Sequence, residues 1–174
     1  MFRRFDFRSP ALPYAAIVVL ALALRFVGLD WGAFHPDEWA ISSAVYGLGW
    51  PGSVGDIFSS ESPLNPHWFN YGSLPLYVFR AVAGLAATFR DSASFIPADV
   101  VLWRALSGVA DVVTLILAAL IARRLFGNIA GLLTALLYAV AVLPIQLSHF
   151  YTVDPLMATF TTGAVSAALV FVSG

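Results

Sequence analysis

Four stretches of this chain, about 13–29, 98–122, 129–147 and 155–172, are apolar over or near the length a helix needs to cross a membrane. A hydrocarbon core of about 30 Å takes roughly 20 residues of helix, and inside it only a helix or a closed barrel satisfies its own backbone. The fold class that follows is an all-α polytopic membrane protein. A fifth stretch, 71–89, is apolar too, but Pro75 and Arg80 interrupt it and Gly72 and Gly84 weaken it as a helix.

Composition agrees with lipid as the solvent. Only 11% of the 174 residues are charged, against about 25% in an ordinary soluble domain. There is no cysteine, so neither a disulfide framework nor a Cys-ligated metal site is available. The nine basic residues are all arginines and form no basic run, which sets nucleic acid aside as a partner.

Arginine placement decides the sidedness, because loops rich in Arg stay cytoplasmic. Arg3, Arg4 and Arg8 put the N-terminus inside, with the first span read as an uncleaved signal anchor. If 71–89 also crossed, Arg123 and Arg124 would lie outside and Asp154 inside, against the rule. With 71–89 at the interface, four spans remain and both acidic loops face outward. The segment 30–97 is then one large external loop, with interfacial helices at about 36–48 and 72–89. Its Trp31, Trp39, Trp50, Trp68, Tyr46, Tyr71 and Tyr77 are residue types that settle at the headgroup level.

Two polar clusters lie between the spans. In His35-Pro36-Asp37-Glu38 a carboxylate beside a histidine can supply a general base or hold a metal. The plainer reading is a helix start, with Pro at the first position and acidic residues favouring the positive end of the dipole. Gln146, His149, Tyr151, Thr152 and Asp154 form the second cluster, where Asp154 can simply cap the helix that Pro155 opens. On one membrane face the two clusters can meet around one substrate. His67, Asn70 and Tyr71 can line a polar pocket or merely an interfacial surface.

Arg25, Arg104 and Asp111 lie within or at the ends of spans, where ionisable side chains are costly and point to function by default. Arg104 and Asp111, seven residues apart, share a helix face and allow at most a loose pairing. Arg25 is expected to snorkel to the interface or to meet a lipid phosphate, and Asp111 to face other helices.

The order of short motifs along the chain carries a family resemblance. Leu24-Arg25-Phe26 precedes His35-Pro36-Asp37-Glu38, and Asn70-Tyr71-Gly72-Ser73-Leu74-Pro75-Leu76 leads the fifth stretch. Arg104-Ala105-Leu106-Ser107 opens a span that closes on Ala122-Arg123-Arg124-Leu125-Phe126-Gly127, and Ser148-His149-Phe150-Tyr151-Thr152-Val153-Asp154 precedes the last one. The set resembles the membrane-embedded glycosyltransferases of the type C fold. It is closest to the branch with protein O-mannosyltransferases and lipid A aminoarabinose transferases.

The resemblance implies a polyprenyl-phosphate-linked sugar as donor, with its lipid phosphate as the leaving group. It implies an essential acidic residue in the first external loop at Asp37, with Glu38 beside it, and a second at Asp154. His35, Glu38, Tyr71, His149, Tyr151, Arg25 and Arg104 are the expected substrate-binding residues, the arginines as partners for the lipid phosphate. Juxtamembrane helices that do not cross are also implied, and no nucleotide site is needed. The second motif lacks the further acidic residue of metal-dependent oligosaccharyltransferases, so the resemblance allows a divalent metal as a cofactor and does not require one. Members of this family run to several hundred residues. The expectation is therefore an N-terminal portion of a longer enzyme, inactive by itself.

Two other classes compete. A transporter or flippase shows broken spans with polar groups at mid-membrane, whereas a noncatalytic scaffold uses the acidic loop only to hold a partner.

Overall fold

The computed structural model describes residues 11–31, 34–86 and 98–173. Arg3, Arg4, Arg8, Arg90 and the last residues of the expected 72–89 helix lie outside the described residues. Eight helices follow one another among the described residues, with no strand. They are α1 (Ala11–Phe26), α2 (Pro36–Gly47), α3 (Val54–Ile57), α4 (Ser73–Ala86), α5 (Ala98–Phe126), α6 (Asn128–Ala139), α7 (Val142–Ser148) and α8 (Asp154–Ser173).

Two helices are long and apolar enough to cross a membrane, Val100–Phe126 and Asp154–Val172. A third crossing exists if α6 and α7, bent by 57°, count as one. The 16 residues of α1 fall short of the roughly 20 needed. Most of α8 is bare, with Phe160 57% and Phe171 89% exposed, which suits a lipid surface.

The expected continuous span 129–147 is broken at Val140 and Ala141. The cause is Pro144, which has no N–H to give the Val140 carbonyl and whose ring clashes with that carbonyl in a straight helix. Apolar periodicity alone passes over this break, because α6 and α7 are both apolar. Two carbonyls at the end of α6 accept from Arg25, Ala139 O at 3.0 Å and Tyr138 O at 3.2 Å, the second shared with Ala141 N. Arg25 also bonds Asp111 in α5, and Asp111 accepts from the Tyr138 hydroxyl at 2.9 Å. The snorkelling expected of Arg25 is therefore overturned: its side chain is wholly buried and ties α1, α5 and α6 together. Asp111 does face other helices, but its partner is Arg25 and not Arg104.

Helices α5 and α6 form an antiparallel hairpin turned on Gly127, whose φ of 92° suits a residue without Cβ. The hairpin closes tightly at Gly131, where an added Cβ would collide with the Tyr14 hydroxyl and come within 2.7 Å of Arg123 Cβ and 3.0 Å of the Ala119 carbonyl. We predict that Gly131→Leu lowers stability by about 1–3 kcal/mol through overpacking. A thermal midpoint in detergent equal to that of the unaltered chain would refute the tight seam.

The bundle has two chemically different ends. At one, the Tyr14 hydroxyl donates to Asn128 O at 3.3 Å and the Arg123 guanidinium lies over the Tyr14 ring. At the other, the end of α1 meets α5 and the α7–α8 connection: Arg104 donates to Leu29 O at 2.8 Å, and His149 Nε2 lies 3.0 Å from Val27 O. Helices α2 and α4 pack at this second end on an aromatic core of Phe79, Trp103 and Tyr151, all wholly buried. Trp103 Nε1 donates to Phe79 O at 2.8 Å, which satisfies the indole N–H inside the core.

Helix α3 is a single turn with a reciprocal cap. Asp56 accepts from the Gly52 and Ser53 backbone, both at 2.9 Å. Hydrogen bonding to the Ser53 side chain, then to the Ser53 backbone, holds the Asp56 carboxyl below the ordinary carboxylate range.

Candidate functional site

The site grows from the start of α2. Pro36 fixes the first helical residue, and His35 caps it, with Nδ1 accepting from Asp37 N at 3.2 Å. Glu38, three residues past the cap, reaches back to accept from His35 N at 2.9 Å. This is a reciprocal cap in which histidine takes the usual place of Ser or Thr.

Glu38 does far more than cap. Its carboxylate is wholly buried and holds Arg104 through two bonds of 2.9 Å, Nε to Oε1 and Nη2 to Oε2. Oε1 also accepts from Tyr151 N at 3.2 Å. The Tyr151 hydroxyl, in turn, donates to Glu38 O at 2.8 Å and pairs with the Ser42 hydroxyl. One carboxylate thus joins the first polar cluster, the long helix α5 and the second polar cluster.

Such a buried pair is stable only because both ions are fully hydrogen-bonded. Glu38 accepts four bonds, and Arg104 spends its remaining reach on Leu29 O at 2.8 Å and Trp31 O at 3.2 Å. The guanidinium is also flanked by the Phe34 and Phe150 rings, each at 5.8 Å.

The residues singled out in the sequence fall into two groups. Glu38, Arg104, Tyr151 and Arg25 are buried inside the protein's own networks. Four of the five N–H groups of each guanidinium go to the protein's own carboxylates and carbonyls. Glu38 and Tyr151 are likewise engaged with each other inside the network. His149 is half-buried and used as a clasp: Nδ1 lies 2.8 Å from Ile145 O while Nε2 faces Val27 O. Tyr71 packs edge-on against Trp68 at 5.4 Å, and no hydrogen bond joins it to the Glu38 network.

What stays open is His35, Asp37 and Asp154. The side chains of His35 and Asp37 are 40% and 45% exposed, with His35 Nδ1 3.8 Å from the Asp37 carboxylate. The His35 ring lies 5.0 Å from Phe150, so the second cluster forms a wall beside the first. Asp154 is exposed at the start of α8. The two segments meet through Glu38 and Tyr151, while no hydrogen bond or ion pair joins Asp37 to Asp154.

Sequence reasoning missed Ser42 and Trp103. Ser42 follows Glu38 by four residues, hence on the same helix face, and that spacing was the available signal. Two further hydroxyls, Ser107 Oγ and Thr152 Oγ1, are buried with no protein partner. They flank the network in sequence, one turn beyond Arg104 and one residue beyond Tyr151. Among the described residues no three His, Asp or Glu side chains gather closely enough to hold a metal ion. No protein-family model, curated protein or solved structure matches this chain.

Proposed function

We propose that this chain serves a membrane glycosyltransferase reaction that moves a sugar from a polyprenyl-phosphate donor to an acceptor hydroxyl. Four crossings, formed by α1, α5, α6 with α7, and α8, leave α2 and α4 lying on the non-cytoplasmic surface. Arg123 and Arg124 then face the cytoplasm, as the charge bias of membrane loops requires.

One observation carries the reading. The Glu38 network pins the two polar clusters together at one end of the bundle, yet leaves Asp37 half-exposed beside His35, and Asp154 exposed three residues beyond Tyr151. A carboxylate so placed can accept the proton of the acceptor hydroxyl while that oxygen bonds to the anomeric carbon. The anomeric bond to the lipid phosphate breaks, and the phosphate oxygen keeps the electron pair. Direct attack inverts the sugar.

The transporter reading draws on the α6–α7 break, since discontinuous helices build transport sites. Here Arg25 already occupies two carbonyls at the break, Ala139 O and Tyr138 O, which leaves less free backbone there for a cargo.

Asp37→Asn in the full-length protein is expected to cut transfer from a polyprenyl-phosphate sugar by about 10²–10⁴-fold, the usual weight of a general base. Transfer at the unaltered rate would remove Asp37 from the reaction.

A further inference from the structure

A cavity of about 450 Å³ lies in the 48–80 region, lined among others by Trp50, Ser62, Asn65, Phe69, Tyr77 and Arg80. It is walled by chain that closes on itself. Gly49 N donates to Pro63 O at 2.8 Å, and a Cβ at Gly49 would come within 3.0 Å of Pro63 Cβ, so the two sides of this loop approach closely where residue 49 has no side chain. Tyr77 fastens the same loop to α4 by donating to Leu64 O at 3.1 Å.

The polar groups of this cavity are selective for one sign of charge. Arg80 spends Nε on Leu48 O at 2.8 Å and has Trp50 against its guanidinium at 6.0 Å. Both its Nη groups are without a partner among the described residues. Asn65 Oδ1 accepts from His67 N at 3.0 Å, which leaves its amide donors unused. Ser62 Oγ accepts from Leu64 N at 3.3 Å, which leaves the hydroxyl proton. No carboxylate lines the space, and nearby Asp56 is committed to the Gly52 and Ser53 amides. A donor-rich set around one guanidinium matches a phosphate oxygen.

The surroundings specify an amphiphile. Trp50 and Phe69 are 62% and 69% exposed, Tyr77 is exposed as well, and apolar atoms dominate the lining. Aromatic side chains beside a cation are the chemistry of the lipid headgroup layer.

The cavity is separate from the Asp37 region. Leu48 caps the end of α2 opposite Asp37, and the step from 37 to 48 spans about 16 Å of helix at 1.5 Å per residue.

We propose that this cavity binds the headgroup of an anionic phospholipid of the surrounding bilayer, with the phosphate on Arg80 and Asn65 and the glycerol and upper acyl carbons against Trp50, Phe69 and Tyr77. Such a lipid would moor the 48–80 region to the membrane surface. The inference rests on the surface placement of α2 and α4, not on sugar transfer, and its test does not read transfer.

The test is native mass spectrometry of the purified chain in detergent, titrated with phosphatidylglycerol, with phosphatidylcholine and with inorganic phosphate. Phosphatidylglycerol is expected to bind at least tenfold more tightly than either of the others. Arg80→Gln is expected to weaken it about tenfold, as loss of a charge-assisted bond does. Because Arg80 also holds the Leu48 carbonyl, Asn65→Asp serves as the second variant. It keeps the oxygen that accepts from His67 N but turns the donor into an anion, and it should weaken phosphatidylglycerol by a similar factor. Equal binding of phosphatidylcholine or of inorganic phosphate would overturn the proposal, as would unchanged affinity in Asn65→Asp.

Discussion

Replacing Arg104 by methionine is expected to destabilise the fold by about 3–5 kcal/mol, the cost of leaving a buried partner ion unpaired. Glu38 would remain wholly buried with its negative charge uncompensated, and the Leu29 and Trp31 carbonyls would lose their donor. The loss should show as a lower thermal midpoint in detergent. Removing both charges in Arg104→Met/Glu38→Met should recover a large part of the difference, because a buried pair replaced by apolar groups of similar volume is often nearly neutral. A double variant no more stable than Arg104→Met would show that the ion pair is not the source of the effect.

Arg25→Met is expected to have an effect of the same size by a different route. It strands the buried Asp111 carboxylate, and it also exposes the break between α6 and α7, where Ala139 O takes its donor from the guanidinium. An unsatisfied buried carbonyl costs about 1–3 kcal/mol. For that reason Arg25→Met/Asp111→Leu should recover the part due to the stranded charge but not the part due to the carbonyl, since Ala139 O stays without its donor just as Leu29 O does in the Glu38 and Arg104 double variant. Full recovery in this double variant would mean that water reaches the break and that Arg25 serves Asp111 alone.

The parts of the fold legible in the sequence are those written in local signals. Pro36 followed by two acidic residues marks the start of α2, and Asp154-Pro155 marks that of α8. The long apolar run of α5 announces itself by composition. The α6–α7 break was visible only as Pro144, which apolar periodicity outvoted.

The site was less legible, for a physical reason. Adjacent residues of a helix point about 100° apart, so of Asp37 and Glu38 only one can face inward. The local pattern held a clue, since a Glu three positions past the cap is the one that reaches back. Charge partners carry no such local sign. Arg104 finds Glu38 across 66 residues and Arg25 finds Asp111 across 86, while the seven-residue spacing of Arg104 and Asp111, which allows at most a loose pairing, leads to none.

The division of roles between Asp37 and Glu38 is tested most directly by measuring transfer and thermal midpoint together in the full-length protein for Asp37→Asn and Glu38→Gln. Asp37→Asn should keep the midpoint and lose transfer by about 10²-fold or more, whereas Glu38→Gln should lower the midpoint by unpairing Arg104. An Asp37→Asn protein that transfers sugar at the original rate, or a Glu38→Gln protein of unchanged stability, would contradict it.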